Sequence, residues 1–168
     1  MIFSERNKIV NVNPAIDANA ATIASDIVSM KNYDHATFII TFGVVNASSA
    51  TTTNLIASKG EDVTTCATAF ACKYRAEVTS GGDTLEAIVT LPTTGVSLGT
   101  GNTLDVTGDN AIVVVEIDAD DLAPTAANPY DTVKVGMVWN AQSVLMSIIC
   151  VLSKPRFADA AGPTAITD

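Results

Sequence analysis

Residues 36–45 read ATFIITFGVV. Phe38, Ile40, Phe42 and Val44 fall on one face of an extended chain. Thr37, Ile39, Thr41, Gly43 and Val45 fall on the other. A period of two in β-branched and aromatic residues predicts a strand whose fully apolar face lies on a core. Upstream, residues 26–30 (DIVSM) predict a shorter strand, and the polar run 31–35 (KNYDH) predicts a turn between the two. Residues 26–45 therefore read as a hairpin placed early in the chain.

Outward from that hairpin the same pattern recurs. Residues 8–12 suit one short strand, and residues 16–23 are compatible with a helical turn. Residues 46–50 read as a turn, and residues 51–57 alternate weakly, with Thr53, Leu55 and Ala57 on one side. Residues 58–62 (SKGED) read as a loop. In residues 70–78 the alternation is clean: Phe70, Cys72, Tyr74, Ala76 and Val78 against Ala71, Lys73, Arg75 and Glu77. A Gly-rich turn at 80–83 leads to residues 84–91, with Leu85, Ala87, Val89 and Leu91 inward. Residues 92–110 form a long Gly/Thr loop with a candidate strand at 103–106.

Residues 111–117 (AIVVVEI) are nearly all apolar, the pattern of a strand covered on both faces. Asp118 heads a possible single helical turn over 118–122. Residues 131–139 and 143–152 are the last two strong strands, and residues 153–168 read as an extended tail. About eight strand candidates with no long amphipathic helix predict an all-β fold: an antiparallel β-sandwich, with a jelly roll as its expected form. The expected division is an N-terminal arm over 1–24, a sandwich over 25–152 and a C-terminal tail over 153–168.

Composition narrows the function classes. A chain of 168 residues supports one domain with a real core. Charged residues make up only 16%, so much of the surface must be Thr, Ser, Ala and Gly, as on a subunit covered by neighbours. The formal charge of −9 includes no basic patch to neutralise phosphates, which argues against direct nucleic-acid binding. Such a subunit suits a basic partner surface, charge aiding encounter more than affinity. The opening MIFSERNKIV lacks the apolar core of a signal peptide, and no apolar run approaches the ~20 residues of a membrane-spanning helix. Synthesis in a cytoplasm and no membrane partner are the expectations. The odd cysteine count (Cys66, Cys72 and Cys150) fits that compartment, with Cys72 and Cys150 as small core hydrophobes.

No chemistry-bearing motif emerges. His35 is the sole histidine and reads as a turn or surface residue. A histidine site needs a partner oriented by the fold, and no nucleophile motif is present. Cys66 and Cys72 lack zinc-ligand spacing. Asp118, Asp120 and Asp121 invite a Ca²⁺ reading but suit helix capping better. Trp139 with Tyr33 invites a sugar-stacking reading, against which Trp139 shares an inward face with Val133 and Val135. Lys73, Arg75 and Glu77 are a solvated face or part of a polar interface. No catalytic, cofactor or metal residue is assigned, and the chain is expected not to be an enzyme. A self-contained globule with both ends tucked in and a polar, solvent-reachable cleft holding His35 beside a carboxylate would overturn that expectation.

The termini carry Phe3, Ile9, Val10, Val12, Phe157 and Ile166, more apolar content than a solvating tail needs. They read either as frayed ends or as arms that order on a neighbouring subunit. The six residues are the candidate interface set.

Three segments, with the opening MIFSERNKIV, carry a family resemblance: residues 27–43 (IVSMKNYDHATFIITFG), residues 116–122 with 130–135 (EIDADDL and YDTVKV), and residues 152–158 (LSKPRFA). Together they resemble the capsid decoration, or cement, proteins of tailed bacteriophages. The resemblance implies a non-enzymatic virion protein on the outer surface of an icosahedral shell. Its implied partners are the major capsid protein and further copies of itself, a trimer favoured over a dimer. Cementing by the N-terminal arm would mean that removing residues 1–12 abolishes shell binding and leaves the β domain folded. The competing readings are a phage tail or head-fibre subunit and a carbohydrate-binding jelly roll presenting the 92–110 loop.

Overall fold

The alternation of residues 36–45 sits at the centre of a six-stranded antiparallel sheet. The computed structural model describes residues 3–18, 22–45, 53–62, 64–79, 82–98, 106, 110–138 and 143–156. Its strands are β1 (Lys8–Asp17), β2 (Thr22–Ala24), β3 (Val28–Ser29), β4 (Tyr33–Val45), β5 (Thr53–Gly60), β6 (Thr68–Ala69), β7 (Cys72–Glu77), β8 (Val89–Leu91), β9 (Val96–Leu98), β10 (Ile112–Asp118), β11 (Thr132–Val138) and β12 (Val144–Pro155). Two 3-10 turns, η1 (Phe3–Glu5) and η2 (Ala119–Leu122), are the helical elements among the described residues.

The first sheet runs β1-β12-β4-β10-β7-β8 and the second β2-β11-β5-β6. Short β3 pairs with β11 beside β2, and β9 pairs with β5. The chain alternates between the sheets, and its first strand lies against its last. That is the jelly-roll order of two interlocked Greek keys, with β7 and β8 extending the first sheet beyond β10. The expected β-sandwich is therefore what forms.

Period-two burial builds the core between the sheets. Phe38 and Ile40 of β4, Val113, Val115 and Ile117 of β10, and Ile148, Cys150 and Leu152 of β12 are fully enclosed. They pack in one cluster with Leu55 and Ala57 of β5 and Val133, Val135 and Met137 of β11. Each large side chain so buried contributes about 1.5–3 kcal/mol. Buried Thr132 is satisfied by donating its hydroxyl to the Gly60 carbonyl at 2.8 Å. Burial also pushes the Cys72 and Cys150 thiols up to about 12, holding them protonated and inert.

Several expectations are corrected. The 26–45 segment is not a hairpin: β3 pairs with β11 in one sheet, while β4 pairs with β10 and β12 in the other. β4 begins at Tyr33, so Asp34 and His35 lie in the strand and not in a turn. Val44 is exposed, because an irregularity in the β12–β4 pairing between Val144 and Met146 breaks the alternation there. β5 runs on through Ser58, Lys59 and Gly60, expected as loop. Of residues 84–91 only Val89–Leu91 are strand, with Leu91 buried but Val89 and Ala87 exposed, since β8 is the edge strand of the sheet among the described residues. The loop after Pro92 contains β9, which its two inward residues, Val96 and Leu98, dock on β5. The candidate strand at 103–106 lies outside the described residues except Val106, which is buried. No helical turn forms at residues 16–18 or 22–23, which are extended.

The N-terminal arm is corrected too. Over Lys8–Asp17 it is β1, an edge strand of the body paired with β12. Val10 and Val12 point into the core, since the pleat carries alternate residues inward. A register shift between Asn13 and Ile16 spans Pro14, where a proline is tolerated at a sheet edge. The Ser153–Pro155 start of the expected tail likewise belongs to β12.

Candidate interaction face

The outer face of the β1-β12-β4-β10-β7-β8 sheet should meet water, yet its middle is apolar. Cross-strand register defines the rows. One runs Asn11, Ile149, Ile39, Val114, Arg75 across β1, β12, β4, β10 and β7. The next runs Ile9, Val151, Thr37, Glu116, Lys73, and a third Ser147, Thr41, Ile112, Glu77. Ile9 is 55% exposed, Leu145 57%, Ile149 37% and Ile112 37%, so this band is open to solvent in the single chain. β10 was expected to be covered on both faces; its outer residues Ile112 and Val114 are instead only partly covered.

The polar residues in this band turn to one another. The Thr41 and Ser147 hydroxyls share a hydrogen bond of 2.8 Å. Thr37 donates to Glu116 Oε2 at 2.9 Å. Arg75 folds sideways, its Nε and Nη2 donating to the Glu86 and Leu85 carbonyls at 2.9 and 3.3 Å. Hydrogen-bonding capacity satisfied within the sheet lowers the cost of covering it. At one end Gly43 leaves a notch of about 380 Å³ between Ile112 and Leu145. A side chain at Gly43 would begin 3.3 Å from Leu145 Cβ, so glycine keeps that notch open.

The opposite end of the face is polar and holds His35. Its Nε2 lies 2.6 Å from Glu116 Oε2, and its Nδ1 lies 2.7 Å from Asp118 Oδ1. His35 and Asp118 are register partners on β4 and β10, and Glu116 is one pleat away on the same face. The hydrogen bond with Glu116 chiefly raises the His35 pKa above its ordinary value, with partial burial opposing. The bond from His35 likewise holds the Glu116 carboxyl below its ordinary value. The two carboxylates flank opposite ring nitrogens, so they do not converge on one point as metal ligands must. Among the described residues no group of three or more His, Cys, Asp or Glu side chains is placed to hold a metal ion. The adjoining hollow of about 410 Å³ is lined by Asp34, Asp118, Ala119, Asp120, Asp121 and Lys154. Within it Asp121 closes η2 by accepting from the Asp118 backbone N–H at 3.1 Å.

The anticipated interface residues divide. Phe3 and Ile9 are exposed, Ile9 at the corner of the apolar band. Val10 and Val12 are core, and Phe157 and Ile166 lie outside the described residues. Trp139 is also outside them, and Tyr33 is buried, so Tyr33 is no exposed stacking platform. The His35 clasp went unread in the sequence because its carboxylates lie more than eighty residues away. Lys59 was missed as well. Its ammonium donates to the Leu122 carbonyl at 2.6 Å and lies 4.8 Å from the Tyr130 ring centroid, tying β5 to η2.

Fold and face together define a jelly-roll sandwich with an open sheet face that is apolar along its middle. No family model matches the chain, and no curated protein matches it. Among solved structures the chain is similar to the SPBc2 prophage-derived protein YomS, at 13% identity over 86% of this chain and 92% of that one, TM-score 0.38. It is similar to the Tobacco streak virus coat protein at 8% identity, over 95% and 94% of the chains, TM-score 0.31. It is also similar to the C-terminal CBM6 of LamC, a marine laminarinase from Zobellia galactanivorans, at 6% identity, over 88% and 99%, TM-score 0.27. Likenesses this loose carry no argument about activity.

Proposed function

We propose that this chain is a non-enzymatic structural subunit of a tailed-phage virion, which binds the outer surface of the icosahedral capsid and cements neighbouring capsomers. The open apolar band on the outer face of the first sheet carries the reading. The family resemblance of residues 27–43, 116–122 with 130–135, and 152–158, with the opening 1–10, suggests the partner: a major capsid protein, together with further copies of this chain.

Magnitudes favour an oligomer. Strands ~4.8 Å apart with ~3.4 Å per residue make the five-strand face roughly 24 by 20 Å, on the order of 500 Å². An apolar part of ~250 Å² lies within what single monomers expose, so it is the flat, strand-built shape of the face and not its area that suits a partner. If about half of the face is apolar, covering it yields ~6 kcal/mol at ~25 cal/mol per Å². Association itself costs ~4–15 kcal/mol, so one copy would hold weakly. Several copies joined in one oligomer, a trimer being favoured, would hold by avidity. The low-charge surface and the formal charge of −9 suit docking on a basic shell.

His35 does not alter the non-enzymatic reading. While the ring is protonated both nitrogens donate to carboxylates, and neither offers a lone pair to a substrate proton.

The test is addition of the purified chain to shells that lack it, followed by sedimentation and counting of copies per particle. Hundreds of copies on the shell, lost in Ile149→Lys, is the expected result. A handful of copies per particle would point to a tail or fibre subunit. Full occupancy by Ile149→Lys would remove the face from the mechanism.

A further inference from the structure

A neutral imidazole has one N–H and one bare nitrogen. His35 has a carboxylate oxygen within 2.7 Å of each nitrogen, and an ionised carboxylate only accepts, so the geometry suits an imidazolium that donates from both. The clasp also has a mechanical position. Asp118 ends β10 and is the N-cap of η2. η2 in turn presents the Leu122 carbonyl to Lys59 of the opposite sheet. The chain of contacts therefore runs from β4 through His35, Asp118 and η2 to β5.

We propose that the His35 clasp is a pH-operated latch on this end of the sandwich, closed while the ring carries both protons and opened at η2 when one leaves. The two carboxylates are not equivalent. Glu116 also accepts from the Thr37 hydroxyl, whereas Asp118 is 60% exposed and shared with the capping box of η2. The remaining proton stays on Nε2 toward Glu116. Nδ1 becomes a bare lone pair facing the Asp118 carboxylate, and Asp118 moves away, taking the η2 cap with it. Among the described residues the other polar and charged groups near the ring are few. Ser153 of β12 is its other register partner, Lys73 of β7 is the register partner of Glu116, and Asp34 beside it on β4 is engaged by Arg156 at 2.6 Å. Asp120 and Asp121 of η2 and Lys154 of β12 line the hollow next to Asp118.

The direction with pH follows from the two shifts. His35 titrates above its ordinary 6.5 when folded, so its contribution is complete below 6.5 and is lost as pH rises through the raised value. Glu116 titrates below its ordinary 4.5, so its contribution is complete above 4.5 and is lost as pH falls through the lowered value. The latch is therefore tightest between the two ordinary values and opens toward alkaline pH at the His35 step.

The sole histidine of the chain makes the test clean. Imidazole ¹⁵N chemical shifts are followed with pH in the full chain, together with amide hydrogen exchange at residues 119–122, each corrected for the intrinsic rate. The expected result is a doubly protonated ring at the ordinary histidine value, an Nε2–H tautomer above a raised midpoint, and several-fold faster exchange in η2 at the same midpoint. Glu116→Gln should lower the midpoint more than Asp118→Asn. Asp118→Asn should also make η2 exchange independent of pH, since an amide can face Nδ1 in either protonation state. An ordinary midpoint, an Nδ1–H tautomer, or η2 exchange that ignores the His35 titration would each overturn the latch. Should Glu116→Gln fail to fold, the wild-type tautomer and exchange data decide alone. None of these readouts involves a shell, so they stand or fall apart from the cementing role.

Discussion

Ile148 and Ile149 are neighbours on β12 with opposite fates. Ile148 is fully enclosed and Ile149 is on the open face. Ile148→Ala should cost about 2–5 kcal/mol in denaturant unfolding, the usual range for such a truncation in a core. Ile149→Lys should change stability by ~0.5 kcal/mol or less, as surface substitutions do, while abolishing shell binding. Equal losses of stability in the two variants would mean that Ile149 is core and the face is not free. Gly60 makes a sharper case. A Cβ there would lie 2.4 Å from both the backbone nitrogen and the Cα of Cys66. Gly60→Ala must therefore push main chain apart at the end of β5. It should cost about 1–3 kcal/mol, the scale of overpacking, and lower the thermal midpoint.

Among elements, β1 matters most for interpretation. As an arm it would be dispensable to the fold; as an edge strand it seals β12 and adds Val10 and Val12 to the core. Removing residues 1–12 should therefore lower stability by several kcal/mol and expose the β12 backbone to pairing with other chains. Thermal unfolding and light scattering of the truncated chain measure this directly. Retention of the full-length midpoint would restore the arm reading. β10 and η2 show the same coupling on a smaller scale. β10 supplies Glu116 and Asp118 to the clasp, and η2 passes that end of the sheet on to Lys59.

For the whole molecule, charge and face make separate predictions. With a formal charge of −9, the proposed docking on a basic shell should slow as ionic strength rises, because steering acts at long range. Dissociation should respond less, since it reports the covered apolar band. Stopped-flow association and sedimentation at several salt concentrations separate the two. A dissociation rate that rises as steeply as association falls would place the binding energy in exposed ion pairs instead.

The sequence by itself determined the all-β class and most inward residues, because period-two alternation is a local property of the chain. Phe38, Ile40, Tyr74, Val133 and Val135 could be assigned to the core one strand at a time. Only the tertiary structure decided which strands share a sheet, since pairing partners are set by contacts far apart along the chain. That is why β3 and β4 looked like a hairpin and lie in opposite sheets, and why an arm became β1. It is also why His35 read as a lone surface residue. Its chemistry arises where Glu116 and Asp118 meet it across the β4–β10 pairing, and no spacing within a local window records that encounter.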